Sequence, residues 1–165
     1  MAASKQILTI GHSNHSFEKL LSLLQAHNVS AVCDVRSAPY SRMNPQFNRE
    51  GFAEQLRENE IACIYLGMEL GGRTEDPDCY EGKRVRYDRL AKKDVFQSGL
   101  QRVVEDSAKY RLCLLCAEKE PLECHRTLLV SRHLAEMGLE IHHILADGGL
   151  ESHDSVIERL LVCRL

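Results

Sequence analysis

The chain has 165 residues, of which 44% are hydrophobic and 27% are charged, a balance typical of one soluble globular domain. Its formal net charge of −3 at pH 7 disfavours a protein whose main partner is nucleic acid. No apolar run approaches the roughly 20 residues that a membrane helix needs. Residues 1–5 lead directly into a predicted strand, so we expect neither a signal peptide nor a membrane partner.

Apolar segments alternate with amphipathic ones along the chain. Phe17, Leu20 and Leu24 recur at helical spacing, with Asn14 or Ser16 as the cap. Buried strands are predicted at residues 6–10, 29–35, 61–66, 112–116 and 140–145. This order predicts a single α/β domain over residues 1–165, with a mostly parallel, Rossmann-like sheet of five strands and helices on both faces.

A long excursion of weak periodicity separates the third and fourth predicted strands. It covers residues 67–95, and six basic residues against one acidic residue fall within 83–93. Long segments of this kind are often lids or binding loops, although a solvated basic helix face is the alternative. Arg73, directly after two glycines, is the candidate here for ligand binding.

Polar side chains follow three of the predicted strands at the point where each strand ends. Because the carboxyl ends of parallel strands meet at one edge of a sheet, these side chains should converge on one site. Taken one at a time, His12 and Asp34 would more often be ordinary loop residues. The converging residues are His12 and Ser13, then Asp34, Arg36 and Ser37, then Cys116 and Glu118.

The turn after the fourth predicted strand carries the densest group of reactive side chains. Pro121 suits the first position of a helix, so Cys124, His125 and Arg126 fall near its first turn. The positive potential there favours a thiolate and binds anions. We therefore expect Cys124 to be the more reactive thiol and Cys116 the more buried one. Two structural cysteines filling the core are the alternative.

The seven cysteines of the chain are an odd number, and several lie within apolar segments. This argues against a disulfide framework and for a reducing compartment, so we expect a cytoplasmic protein. Neither Cys116 nor Cys124 has an arginine six positions later, so the phosphate-binding loop of cysteine phosphatases is absent, as is a Walker-type loop.

Five ordered motifs now identify a resemblance. They are Thr9-Ile10-Gly11-His12-Ser13, Asp34-Val35-Arg36-Ser37-x-Pro39-x-Ser41, Leu66-Gly67-x-x-Leu70-Gly71-Gly72-Arg73, Cys116-Ala117-Glu118 and Cys124-His125-Arg126. From about residue 7 to about residue 150, the chain resembles family number 488 among the domains of unknown function. The resemblance implies a compact cytoplasmic α/β domain, marks these motif positions and implies nothing about the reaction.

The first functional hypothesis is an enzyme that acts on an anionic or nucleotide-like small molecule. Arg36, Arg126 and Arg73 would bind the anion, with Ser13 and Ser37 beside them. Cys116 or Cys124 would be the nucleophile or redox thiol. His12 or His125 would be the acid–base group, and Asp34 or Glu118 would orient that histidine or serve as a second base.

Two other classes of function stay open. Cys116, Cys124, His125, His12 and Asp34 are competent ligands for a metal or a haem, although the spacing of a structural zinc site is absent. Alternatively, basic residues of 83–93 would bind nucleic acid over the sheet edge. The sequence predicts no particular cofactor, substrate, reaction or oligomeric state.

Overall fold

In a computed structural model of the chain, which describes residues 5–163, the centre of the fold is a six-stranded sheet. Its strand order is β3-β2-β6-β1-β7-β8, with the first five of these strands parallel and β8 antiparallel to β7. The strands are β1 (Gln6–Gly11), β2 (Ala31–Asp34), β3 (Ala62–Tyr65), β6 (Leu112–Cys116), β7 (Glu140–Ile144) and β8 (Leu150–Ser152). A separate two-stranded hairpin pairs β4 (Tyr80–Glu81) with β5 (Arg84–Val85).

Seven α-helices are described within residues 5–163. They are α1 (Phe17–Ala26), α2 (Arg49–Glu58), α3 (Gly67–Leu70), α4 (Tyr87–Leu90), α5 (Asp94–Ser107), α6 (Arg132–Glu136) and α7 (His153–Cys163). Single turns of 3-10 helix occupy Pro45–Phe47, Pro77–Cys79 and Pro121–Glu123, and a π-helix over Arg126–Ser131 runs directly into α6. The hydroxyl of Ser16 accepts a hydrogen bond from Lys19 N at 3.0 Å, so Ser16 caps α1.

Two cores pack on opposite faces of the sheet, because successive strand residues point to opposite sides. On one face, Leu114 packs with residues of α5 and of the π-helix such as Leu100 and Leu129. On the other face, Leu115 packs with residues of α1 and α2 such as Leu20 and Leu56. Helices therefore cover both faces, as the sequence predicted.

The five predicted strands are confirmed, and β8 is an additional short strand that the sequence did not predict. The excursion at 67–95 contains α3, the small hairpin and α4, and α5 begins near its end. None of the described helices is long and apolar enough to cross a membrane.

Candidate functional site

The carboxyl ends of β2, β6 and β1 lie side by side because these strands are neighbours in the sheet. Backbone hydrogen bonds continue past the strand ends: His12 N donates to Cys116 O and Ser13 N to Ala117 O, both at 2.9 Å. The loops that follow the three strands therefore meet at one edge.

A cavity of about 340 Å³, here called the thiol cavity, opens at this edge. That volume suits a small molecule. Six of the residues predicted for the site line the cavity: Arg36, Ser37, Arg73, Cys116, Glu118 and His125. The sequence reasoning missed others, among them Gly72, Tyr87 and Glu123. The glycine pair before Arg73 was the available signal for Gly72, whereas Tyr87 reaches the cavity only through the folding of the excursion.

The other five predicted residues, His12, Ser13, Asp34, Cys124 and Arg126, are not among those lining the thiol cavity. His12 is buried and stacks on Phe47, and its Nδ1 donates to Ser13 O at 2.8 Å. Burial lowers the pKa of His12 to about 4, since desolvation disfavours the charged ring. His12 is therefore neutral near pH 7, and its hydrogen bond to Ser13 O stabilises the loop that follows β1.

Asp34 and Arg36 form a buried, two-pronged ion pair. Arg36 Nε donates to Asp34 Oδ1 at 2.9 Å and Arg36 Nη2 donates to Asp34 Oδ2 at 2.8 Å. The backbone N–H of Arg36 also donates to Oδ1 at 3.0 Å. Asp34 was expected to orient a histidine or act as a base, but this placement shows it fixing Arg36 at the cavity wall.

The sulfur atoms of Cys116 and Cys124 are in direct contact and are paired as a disulfide. The sequence argued against a disulfide framework, and this one pair differs from that expectation, while Cys33, Cys63, Cys79 and Cys113 are free. The pair forms because the 3-10 turn folds Cys124 back over the end of β6. Both cysteines are at most 1% exposed, so the expected difference in burial is negligible, and Cys116 is the one lining the cavity.

A buried guanidinium stands against this sulfur pair. Arg126 Nη1 lies 3.0 Å from Cys116 Sγ and 2.7 Å from Glu118 O, and Nε donates to Thr9 Oγ1 at 3.0 Å. Arg126 is fully buried and has no carboxylate ion pair within residues 5–163. This placement does not support Arg126 as a direct ligand of the anion; it places the positive charge beside the sulfur instead.

Each cysteine has a candidate proton acceptor beside it. Glu118 Oε2 lies 3.3 Å from Cys116 Sγ. His125 Nε2 lies 2.8 Å from Val35 O, and since a carbonyl only accepts, Nε2 carries the proton and Nδ1 is free to accept. That Nδ1 faces Cys124 Sγ at 4.0 Å. Burial lowers the pKa of His125, which keeps its ring neutral.

Next to the thiol cavity lies a second cavity of about 600 Å³, here called the basic cavity. The two share Gly72, Arg73 and Tyr87. Ser37, in the wall of the thiol cavity, also holds Arg73, which lines both cavities: the Ser37 hydroxyl accepts a hydrogen bond from Arg73 N at 3.0 Å. Five cationic residues and one acidic residue line the basic cavity: Arg73, Lys83, Arg84, Arg86 and Arg132, with Asp88. This locally positive surface contrasts with the net charge of the chain.

Once the disulfide is reduced, Cys116, Glu118 and Cys124 could hold a metal ion, since their donor atoms lie within 4.8 Å of one another. The guanidinium of Arg126, 3.0 Å from Cys116 Sγ, argues against this use of the group. A fixed positive charge repels a cation and favours an anionic sulfur or an anionic substrate.

The fold and this edge together define a class of protein: an α/β protein with a mostly parallel central sheet and with paired cysteines and arginines at the carboxyl ends of its strands. The chain belongs to the family described as Domain of unknown function DUF488, whose model matches residues 16–133. That match confirms the predicted family but is narrower than the expected 7–150, and it leaves out the motif with His12 and Ser13. Neither the curated proteins nor the solved structures contain a match to the chain.

Proposed function

We propose that this chain is a small thiol-dependent enzyme whose substrate is an anionic, nucleotide-like molecule. One observation carries the proposal: Cys116, at the cavity wall, receives its closest polar contact from Arg126, a buried guanidinium without a carboxylate partner among the described residues. In the reduced protein, a thiolate at Cys116 is the group that balances this charge.

The first step follows from the contacts around Cys116. Glu118 takes the thiol proton, and the sulfur attacks the electrophilic atom of the substrate, so that a bond from sulfur to substrate forms. The bond to the leaving group breaks, and that group departs with the electron pair and receives the proton from Glu118. Arg73, at the cavity wall, binds the negative charge of the substrate, and Arg36 beside it contributes hydrogen bonds from the guanidinium N–H groups that Asp34 does not take.

Cys124 supplies the second step. His125 takes its proton, and the Cys124 sulfur attacks the Cys116 sulfur, so that the disulfide forms and the bond from Cys116 to the bound group breaks. The released group leaves with the electron pair and receives the proton from His125. The substrate is thereby reduced by two electrons, and a cellular thiol must restore the pair. Release of the group to water or another acceptor would instead make the protein a hydrolase or a transferase. A reducing cytoplasm fits this chemistry.

Alkylation of the reduced protein tests the proposal. We expect iodoacetamide to modify Cys116 with a pH midpoint at least about one unit below that of an ordinary thiol, near 8.5. Cys113 is the internal control, because it is a free thiol on the same strand and burial raises its pKa well above the ordinary value. Peptide mass spectrometry reads every site, including Cys124, which the sequence predicts to react first. If Cys116 reacts no faster than Cys113, the proposal fails.

Anion binding is tested by protection from the same alkylation. Inorganic phosphate and a nucleoside monophosphate should slow the modification of Cys116, and Arg73→Ala should weaken that protection by about fivefold, or about 1 kcal/mol. Arg73 is exposed, so the variant should fold. Arg57→Ala, an exposed arginine on α2, is the matched control. Equal protection in both variants would contradict the role of Arg73.

The basic cavity supports one alternative, a module that binds nucleic acid. In that case, a single-stranded oligonucleotide should bind with an affinity that falls steeply with salt, and Arg84→Ala should reduce the slope. Binding without any reactivity of Cys116 would favour this alternative over the enzyme. A stoichiometric metal in the purified protein would favour a metal site at Cys116, Glu118 and Cys124.

A further inference from the structure

A row of buried polar side chains runs behind the sulfur pair, through the centre of the sheet. Thr9 lies on β1, and its Cα partner on β7 is His143. Both residues are fully buried, and His153 at the start of α7 is 7% exposed. Buried polar groups cost stability unless they are hydrogen-bonded, so their partners identify their role.

The donors and acceptors of this row can be assigned in turn, starting from Arg126. Arg126 Nε can only donate, so Thr9 Oγ1 accepts from it at 3.0 Å. The hydroxyl proton of Thr9 then has one hydrogen-bond acceptor among the described residues, His143 Nδ1 at 2.6 Å, and we assign the proton to that bond. The ring proton of His143 must then be on Nε2, which donates to His153 Nδ1 at 3.2 Å.

Arg126 connects this row to the sulfur pair. Its Nε is held by Thr9, while Nη1 lies between Cys116 Sγ and Glu118 O, at 3.0 and 2.7 Å. Its Nη2 is buried and has no hydrogen-bond partner within the described residues. Because a guanidinium is planar and rigid, the bond at Nε sets the direction of Nη1 toward the sulfur.

We propose that Thr9 and His143 are positioning residues, which hold Arg126 so that its Nη1 stays on the sulfur of Cys116. This inference rests on the proposed function, in which that contact stabilises the thiolate. His143 Nδ1 anchors the Thr9 hydroxyl in the rotamer that leaves a lone pair for Arg126. Burial lowers the pKa of His143 to about 3, so its ring stays neutral and keeps Nδ1 as an acceptor throughout the neutral range.

The test compares hydroxyl and methyl at Thr9. Thr9→Val keeps the shape of the side chain but removes the acceptor for Arg126, whereas Thr9→Ser keeps the hydroxyl. In the reduced protein, we expect Thr9→Val to raise the pH midpoint of Cys116 alkylation by about one unit, and Thr9→Ser to stay within about 0.3 units of the parent chain.

Thr127→Val is the matched control, because Thr127 is also fully buried and its hydroxyl has no hydrogen-bond partner among the described residues. Its midpoint should equal that of the parent chain. A parent chain without a lowered midpoint would contradict the proposed function, whereas a lowered midpoint that Thr9→Val leaves unchanged would contradict the positioning role alone.

A second measurement needs no variant and covers the case in which Thr9→Val fails to fold. Nitrogen-15 NMR of the parent chain should show the ring proton of His143 on Nε2 throughout the neutral pH range. A proton on Nδ1 would overturn the inference, because the Thr9 hydroxyl would then accept from His143 and would no longer be anchored as a donor.

Discussion

Two buried arginines serve the site in opposite ways. Arg36 is matched by Asp34 through two side-chain hydrogen bonds, so its charge is compensated within the chain. Arg126 has only a sulfur, a carbonyl and a hydroxyl, and burial lowers its pKa to about 10, still far above neutral. The positive charge without a direct carboxylate ion pair among the described residues therefore lies at the cysteines, where the proposed chemistry needs it.

The matched pair predicts a large effect of a single substitution. Arg36→Ala leaves the Asp34 carboxylate buried and unpaired, and we expect it to lower the free energy of unfolding by roughly 3–5 kcal/mol. Adding Asp34→Asn to that variant removes the unpaired carboxylate charge, and it should restore part of the lost free energy of unfolding. Urea unfolding at neutral pH measures both variants.

The exposed ion pair between Arg132 and Glu136 is the control for this measurement. Their side chains are 67% and 62% exposed, so Arg132→Ala should change the free energy of unfolding by less than about 0.5 kcal/mol. A loss below about 1 kcal/mol for Arg36→Ala would mean that Asp34 reaches water when its partner is removed.

Among the elements, the end of β1 and the loop after β6 form the tightest contact of the site. Gly11 lies so close to Glu118 that an added Cβ would overlap the carbonyl group and lie 3.0 Å from Arg126 Nη1. Glycine is therefore required there by the approach of two backbones. The same approach directs the Glu118 carbonyl toward the guanidinium.

Gly11→Ala should separate β1 from this loop. We expect it to lower the free energy of unfolding by at least about 2 kcal/mol, because the overlap is with backbone that cannot move aside. If the protein still folds, alkylation of Cys116 should slow, since Arg126 loses its carbonyl partner. Urea unfolding and the alkylation rate check the two parts separately.

Gly51 gives the opposite control. It lies in α2 with nothing within 4 Å of an added Cβ, so Gly51→Ala should raise the free energy of unfolding by about 0.5–1 kcal/mol. A Gly11→Ala protein that is as stable as the Gly51→Ala protein would show that the two backbones do not approach as described.

Across the whole molecule, buried neutral histidines link the stability of the fold to pH. Burial lowers the pKa of His12 to about 4 and that of His143 to about 3, from an unfolded value of 6.5. Below pH 6.5 the unfolded chain takes up protons that the folded chain resists. The stabilisation is therefore complete above that pH and is lost as the pH falls toward the folded values.

The protein should accordingly unfold more easily in mild acid. At about pH 5, each of these two histidines should lower the free energy of unfolding by up to about 2 kcal/mol relative to about pH 7.5. Urea unfolding at both pH values measures the difference. His143→Gln should reduce the pH dependence, whereas the control His142→Gln, on the partly exposed neighbour, should keep it. A parent chain equally stable at both values would contradict the assignment.

The sequence predicted much of the fold and part of the site, because both predictions rest on local patterns. Apolar runs in the sequence predict the strands, and apolar residues at helical spacing, such as Phe17 and Leu20, predict the helices between them. The convergence of Arg36, Cys116 and Glu118 followed from the rule that parallel strands end at one edge. Residues near one another in the chain carry all of this information.

The partners of the side chains depended on the packing of distant segments. β6 inserts between β2 and β1, and this order brings Arg126 to Thr9, 117 positions earlier in the chain. Folding also placed the Arg126 guanidinium against the sulfur of Cys116, and it brought His143 into contact with Thr9 and His153, a contact that no motif indicated. Such partnerships follow from desolvation and distance, which exist only once the sheet has formed.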